Sequence, residues 1–317
     1  MKIVLLEPLG ITEQRLAELA APLIAEGHEF VSYDTVESDP EKLKERAAGA
    51  DILMIANHPL PGEVIESVEN LQYISVAFVG IDHVGKDACV ARNIHISNAA
   101  GYCRDAVAEL ALGLALDCLR NISACNDAVR HGGTKAGLVG HELRGRTVGI
   151  VGTGDTGIRV AELYRAFGCR VLGYSRSERE AARKAGVEYV PFDRLLAESD
   201  IVSVHTPLTD ATRGLIGADA VSKMKPGAIL INTARGPVVD SAAVAEALKS
   251  GRLAALGTDV FEVEPPVAED HPFFGAPNVV ATPHVAFATV ESIDRRAVIT
   301  FDNVEKWLAG TLQNKML

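Results

Sequence analysis

Along this chain, short apolar runs rich in Ile, Val and Leu alternate with stretches whose apolar positions fall three and four residues apart. The first pattern marks buried strands and the second amphipathic helices. Within the first hundred residues the runs Lys2–Leu6, Glu29–Tyr33, Asp51–Ala56, Gln72–Phe78 and Ile94–Ser97 read as strands. Thr12–Glu26 has helical spacing and is closed by Gly27, Asp39-Pro40 supplies an N-cap followed by a first-turn proline, and Glu63–Val68 is a further helix. Helices between short apolar strands imply crossover connections and a parallel sheet.

Arg104 to Arg130 reads as one long helix, apolar on nearly every face through Val107, Leu110, Leu112, Leu114, Leu116 and Leu119. Such a helix is buried, either in a core or in a subunit interface. After Gly132-Gly133 the alternation restarts with strands at Thr147–Val151, Arg170–Tyr174, Ile201–His205, Ala228–Asn232, Leu256–Val260 and Val279–Ala281. Ile293–Leu308 closes the chain as an amphipathic helix. The expected class is α/β with two doubly wound parallel sheets, and 317 residues at about 150 per domain also suggest two domains.

Composition narrows the partners. Hydrophobic residues make up 48% and charged residues 23%, the balance of a globular protein. The net charge of −11 argues against nucleic acid or an anionic membrane as the main partner, since both reward positive charge. The most apolar helical stretch is interrupted by Glu109 and Asp117 and is too short to cross a bilayer. The N-terminus reads as a strand and not a signal peptide. Five cysteines without a Cys-x-x-Cys read as reduced thiols, so a cytoplasmic protein is expected. The nine histidines show no metal-ligand spacing, and no metal is expected.

The first chemistry-bearing segment is Val148-Gly-Ile-Val-Gly152-Thr153-Gly154-Asp155-Thr156-Gly157, a strand entering a Gly-x-Gly-x-x-Gly turn, with a helix at Ile158–Phe167 after it. Gly152 permits the tight turn, Gly154 lets backbone approach a pyrophosphate, and Gly157 lets the helix pack on the strand. This is a dinucleotide site; the P-loop alternative fails because no Gly-Lys-Ser/Thr follows. Where an NAD-selective site ends its second strand with an acid, this chain has Ser175 and Arg176. That pair suits a 2′-phosphate, so NADP(H) is the expected cofactor. The alternative is an arginine stacked on adenine or solvated, with NAD(H) accepted.

Three further segments place reactive groups just beyond strand ends: Asn232-Thr-Ala-Arg235-Gly, Asp259-Val-Phe-Glu262-Val-Glu264-Pro and Thr282-Pro-His284. In open α/β sheets ligands bind at the carboxyl ends of the strands, so these residues converge on one crevice. An arginine grips a carboxylate bidentately and polarises the carbonyl beside it. A histidine exchanges the proton as hydride moves, and a carboxylate beside it favours the charged ring. Singly, each has an ordinary structural explanation; together, after a cofactor loop, they point to hydride transfer.

With Val204-His205-Thr206-Pro207-Leu208 and Met224-Lys-Pro-Gly-Ala added, these segments make the chain similar to the D-isomer-specific 2-hydroxyacid dehydrogenases over nearly its whole length. The resemblance implies a Rossmann-like cofactor lobe, residues 99–287, inserted in a flavodoxin-like substrate lobe made of residues 1–98 and 288–317. It implies Arg235 as substrate clamp, His284 as acid/base and Glu264 as its partner. Asp259 would meet the nicotinamide amide, and His205, Thr206, Pro207, Thr233 and Ala234 would line the cofactor site. The backbone at Phe78, Val79 and Gly80 would bind the substrate carboxylate. The resemblance also implies a homodimer through the nucleotide lobe. Gly101-Tyr102-Cys-Arg-Asp is similar to the Gly-Tyr turn of glycerate dehydrogenases, adding Tyr102 to the substrate site and hydroxypyruvate or glyoxylate as candidate acids. Two rival functions share the fold. A dinucleotide-sensing scaffold is not excluded by the presence of Arg235, Glu264 and His284, but the absence of extended tails around the domain counts against that expectation. A formate enzyme would be expected to carry glutamine in place of Glu264, whereas phosphite is not excluded by residues alone.

Overall fold

The structure, a computed structural model, describes residues 1–264 and 266–317. The chain divides into two compact units, Met1–Cys103 with Ala288–Leu317, and Arg104–Phe287.

The first unit is built on five parallel strands: β1 (Lys2–Leu5), β2 (Glu29–Ser32), β3 (Ile52–Ile55), β4 (Tyr73–Val76) and β5 (His95–Asn98), in the order β2-β1-β3-β4-β5. This is the flavodoxin-like order. Strands β3 and β4 are buried at every position, as expected of a parallel sheet covered on both faces. The helix Glu13–Ala25 starts where the Thr12 side chain accepts from Arg15 N–H, and Pro40–Ala47 starts at Asp39, which caps Glu41 N–H. The C-terminal helix Val290–Leu308 returns to this sheet, where Trp307 stacks on Tyr73 with ring centroids 5.0 Å apart.

The second unit holds seven parallel strands: β6 (Thr147–Val151), β7 (Arg170–Tyr174), β8 (Glu188–Tyr189), β9 (Ile201–Val204), β10 (Ala228–Asn232), β11 (Leu253–Thr258) and β12 (Val279–Ala281). Their order is β12-β11-β10-β9-β6-β7-β8. The order reverses between β6 and β9, the switch point at which doubly wound sheets bind their ligands.

The stretch read as one helix from Arg104 to Arg130 is two, Arg104–Arg120 and Ile122–Arg130. The break falls at Asn121, whose φ of 53° is left-handed, a conformation that asparagine tolerates better than most residues. The first helix buries Ala108, Ala111, Leu114, Ala115 and Leu119 in the core of its own unit. The second buries no residue and leaves Ile122 and Val129 exposed on one face. Among the described residues, no helix is long and apolar enough to cross a membrane.

Candidate active site

The glycine turn is built for a close ligand. Gly152 has φ +98°, and a Cβ there would stand 2.5 Å from the His205 carbonyl oxygen. At Gly157 a Cβ would meet the Gly152 carbonyl oxygen at 2.0 Å, so only glycine lets the helix Asp155–Ala166 leave the strand so tightly. At Gly154, the N-cap of that helix, a Cβ would meet nothing within 4 Å. Open space therefore lies over a helix N-terminus, a natural place for a phosphate. The helix begins at Asp155, earlier than apolar spacing indicates, because the turn's last glycine belongs to the first helical turn.

A cavity of about 460 Å³ runs from this turn along the ends of β7 and β9. Gly152, Thr153, Gly154, Ser175, Arg176, His205, Thr206 and Pro207 all line it. Arg176 is exposed there and makes no hydrogen bond or ion pair among the described residues. Thr153 is buried, and its hydroxyl lies 2.6 Å from the Tyr189 hydroxyl. Asp155 is ion-paired at 2.7 Å with Arg179, a cavity residue that the sequence reading passed over.

His205 is held by Ser203, with Oγ to Nε2 at 2.7 Å, while its Nδ1 is buried without a partner among the described residues. Burial pushes its pKa down to about 3, so the ring is neutral at working pH. Thr233 Oγ1 is likewise buried and unpartnered among the described residues. Orphaned polar atoms beside an open glycine turn and an unpaired arginine fit a dinucleotide.

Beyond β10, Asn232 shapes the loop that carries Arg235. Its Nδ2 donates to the Arg235 carbonyl at 3.1 Å, and its Oδ1 accepts from Ala234 N–H at 3.1 Å. Beyond β11, Glu262 accepts from the Ser241 hydroxyl and pairs with His271 at 2.8 Å, so it is committed elsewhere. Glu264 instead places Oε1 2.6 Å from His284 Nδ1, while its Oε2 accepts from Phe261 N–H at 3.1 Å. A carboxylate on Nδ1 fixes the tautomer and leaves Nε2 as the reactive nitrogen. Pro265, which closes this motif, lies outside the described residues.

His284 itself has φ +54°, which is rare for histidine and requires a surrounding structure that holds it. Asp259 does so. Its Oδ1 accepts from Thr282 Oγ1 at 2.5 Å and Val285 N–H at 2.9 Å, its Oδ2 accepts from Ala286 N–H at 2.8 Å, and its carbonyl accepts from His284 N–H at 2.9 Å. Burial raises the Asp259 pKa, and the Thr282, Val285 and Ala286 donors oppose that rise. The register pairs Asn232 with Thr258 and Thr258 with Ala281, so Arg235, Asp259 and His284 leave neighbouring strands at the same sheet edge.

In the first unit, the loop after β4 carries Phe78, Val79 and Gly80. Its carbonyls are tied to the end of β5: Phe78 O accepts from Ala99 N–H at 2.9 Å and Val79 O from Asn98 Nδ2 at 2.7 Å. The Val79 and Gly80 amides donate to no acceptor among the described residues. Tyr102 is buried, its ring 6.0 Å from Phe78, and burial pushes its hydroxyl pKa up. The Arg296 guanidinium lies 5.4 Å from the Phe78 ring centre and donates to the Leu9 carbonyl at 2.9 Å. Asn98 and Arg296 support this loop, and neither stands out in the sequence because neither belongs to a chemical motif. Among the described residues, no group of three His, Cys, Asp or Glu could hold a metal ion.

Comparison with known proteins agrees with this geometry. The family model described as "D-isomer specific 2-hydroxyacid dehydrogenase, NAD binding domain" matches residues 112–286. A glyoxylate reductase of Korarchaeum cryptofilum is 37% identical over 285 residues, 87% of this chain and 86% of that one. A hydroxypyruvate reductase of Thermotoga maritima is 38% identical over 261 residues, 81% of this chain and 85% of that one. Among solved structures, an acyclic imino acid reductase in complex with NADPH and D-Arg superposes with a TM-score of 0.87 at 28% identity, covering all of both chains. The chain belongs to the D-isomer-specific 2-hydroxyacid dehydrogenase family, nicotinamide-dependent enzymes that move a hydride between a 2-keto acid and its 2-hydroxy acid.

Proposed function

We propose that this enzyme reduces a short 2-keto acid, with hydroxypyruvate and glyoxylate as the candidate substrates, and that it prefers NADPH to NADH. The unit Arg104–Phe287 acts as the dinucleotide-binding lobe, and Met1–Cys103 with Ala288–Leu317 as the substrate-binding lobe. The observation that carries the reading is the 2.6 Å contact between Glu264 and His284 Nδ1, which leaves Nε2 to deliver a proton. The nicotinamide, when bound, supplies the hydride to the carbonyl carbon. His284 gives its Nε2 proton to the carbonyl oxygen as charge develops there, and Glu264 stabilises the ring as it changes charge. Arg235, held by Asn232, grips the carboxylate and polarises the adjacent carbonyl. In the substrate lobe, the free amides of Val79 and Gly80 suit a carboxylate, with Phe78 and Tyr102 forming the apolar backing.

The NADPH preference is supported by the unpaired Arg176 and by Ser175 at the position of the usual acid. A homodimer through the nucleotide lobe is supported by the exposed apolar residues Ile122, Val129 and Val139, and light scattering should give twice the chain mass. The reading as a whole is tested by screening glyoxylate, hydroxypyruvate, pyruvate, phenylpyruvate and 2-ketoisocaproate with each reduced cofactor. Highest kcat/KM is expected for hydroxypyruvate or glyoxylate with NADPH. Highest kcat/KM on a bulky keto acid, or with NADH, would overturn the substrate or cofactor assignment respectively.

A further inference from the structure

The cofactor cavity carries a second guanidinium. Arg179 lines it together with Ser175, Arg176 and Ser177, so two arginines and two hydroxyls face one volume. Arg179 is fixed at both ends. Its Nη1 donates to Asp155 Oδ1 at 2.7 Å, and its backbone N–H donates to the Tyr189 hydroxyl at 2.9 Å. The Tyr189 hydroxyl in turn lies 2.6 Å from Thr153 Oγ1. Both ties therefore end on residues of the glycine turn.

Asp155 is an unusual neighbour for a phosphate. It is the first residue of the helix whose N-terminus receives the pyrophosphate, and a carboxylate there opposes a bound anion. Arg179 neutralises that charge and is at the same time held on the cavity wall. An exposed ion pair is worth little by itself, so its guanidinium is free to exchange or share its partner. A 2′-phosphate offers it a doubly charged, bidentate acceptor; a ribose 2′-hydroxyl does not.

We infer that Arg179 is a second reader of the adenosine 2′-phosphate, held over the cavity by Asp155 and Tyr189 as positioning residues. This rests on the NADPH reading above and assigns part of that selectivity away from Arg176.

The test is calorimetric binding of adenosine 2′,5′-bisphosphate and adenosine 5′-monophosphate, which differ only in the 2′-phosphate. Wild type should prefer the bisphosphate. The double variant Arg179→Met/Asp155→Asn removes both charges of the pair. It should bind the monophosphate within about twofold of wild type and lose about tenfold of the preference, the effect of one charge-assisted contact. Arg179→Lys keeps the charge opposite Asp155 but loses the fork, so it should keep monophosphate affinity and lose severalfold of the preference. A double variant with the wild-type preference intact would make Arg179 a counter-ion for Asp155 only. That outcome would overturn this inference and leave the NADPH reading standing on Arg176. A wild type with no preference would sink the NADPH reading, and this inference with it.

Discussion

The His284 loop depends on one carboxylate, and Asp259→Asn removes its charge while keeping its shape. In wild type the two oxygens accept three hydrogen bonds, from Thr282 Oγ1, Val285 N–H and Ala286 N–H, at a fully buried position. An amide has one oxygen, and its NH2 group faces a donor whichever way it is turned. At least one backbone N–H then loses its acceptor. A hydrogen bond to a charged group is worth about 1.5–3 kcal/mol, and a stranded buried donor costs about 1–3 kcal/mol. The expected loss, taken on urea unfolding of the variant, is about 3–5 kcal/mol. Function should suffer separately, because the same bonds hold His284 at φ +54°. A shift of about 1 Å in a catalytic group costs about 10²-fold, so kcat should fall by about that factor. An Asp259→Asn enzyme with wild-type unfolding and wild-type kcat would refute the argument that this carboxylate anchors the loop.

Three further outcomes are expected. Arg235→Lys keeps the charge but loses the bidentate fork, so it should raise KM and lower kcat together; a variant indistinguishable from wild type would mean the clamp lies elsewhere. Arg176→Ala should raise the KM for NADPH much more than for NADH, and Ser175→Asp should reverse the cofactor order; equal effects on both cofactors would mean Arg176 only stacks on adenine. Because folding pushes His205 down to about 3 while the unfolded ring titrates near about 6.5, the unfolded state takes up a proton the native state refuses, and stability falls with pH below about 6.5. His205→Gln should flatten that slope by up to about 1.4 kcal/mol per pH unit between those values, and an unchanged slope in urea titrations would contradict the burial argument.

What the sequence makes legible follows from what is local. Strands β6, β7 and β10 have the ends that apolar runs indicate, because a parallel strand covered on both faces is a short continuous apolar run, and the partly buried edge strand β12 is marked by its apolar run too. Strand β8, Glu188–Tyr189, is too short and too polar to register. The helix break at Asn121 is hidden because apolar spacing continues through it; only the left-handed backbone reveals it. At the site, residue types and strand ends suffice to bring Arg235, Glu264 and His284 into view. Partnerships need coordinates. Glu262 and Glu264 look alike by residue type; the resemblance singles out Glu264 for His284, and the structure shows that contact and gives Glu262 to His271. Asp259, expected at the nicotinamide amide, is seen in the structure to hold the histidine loop as well, while Arg179 gains its meaning only from Asp155 across the glycine turn.

The central claim is that His284, oriented by Glu264, is the proton donor in 2-keto acid reduction. It is tested by following NADPH absorbance on addition of hydroxypyruvate to wild type and His284→Ala, alongside calorimetric titration of each with NADPH. The account predicts that kcat falls by about 10²- to 10⁴-fold, the range for a lost general acid, while NADPH affinity is unchanged because the dinucleotide rests on the glycine turn. Turnover near wild type in His284→Ala would contradict it.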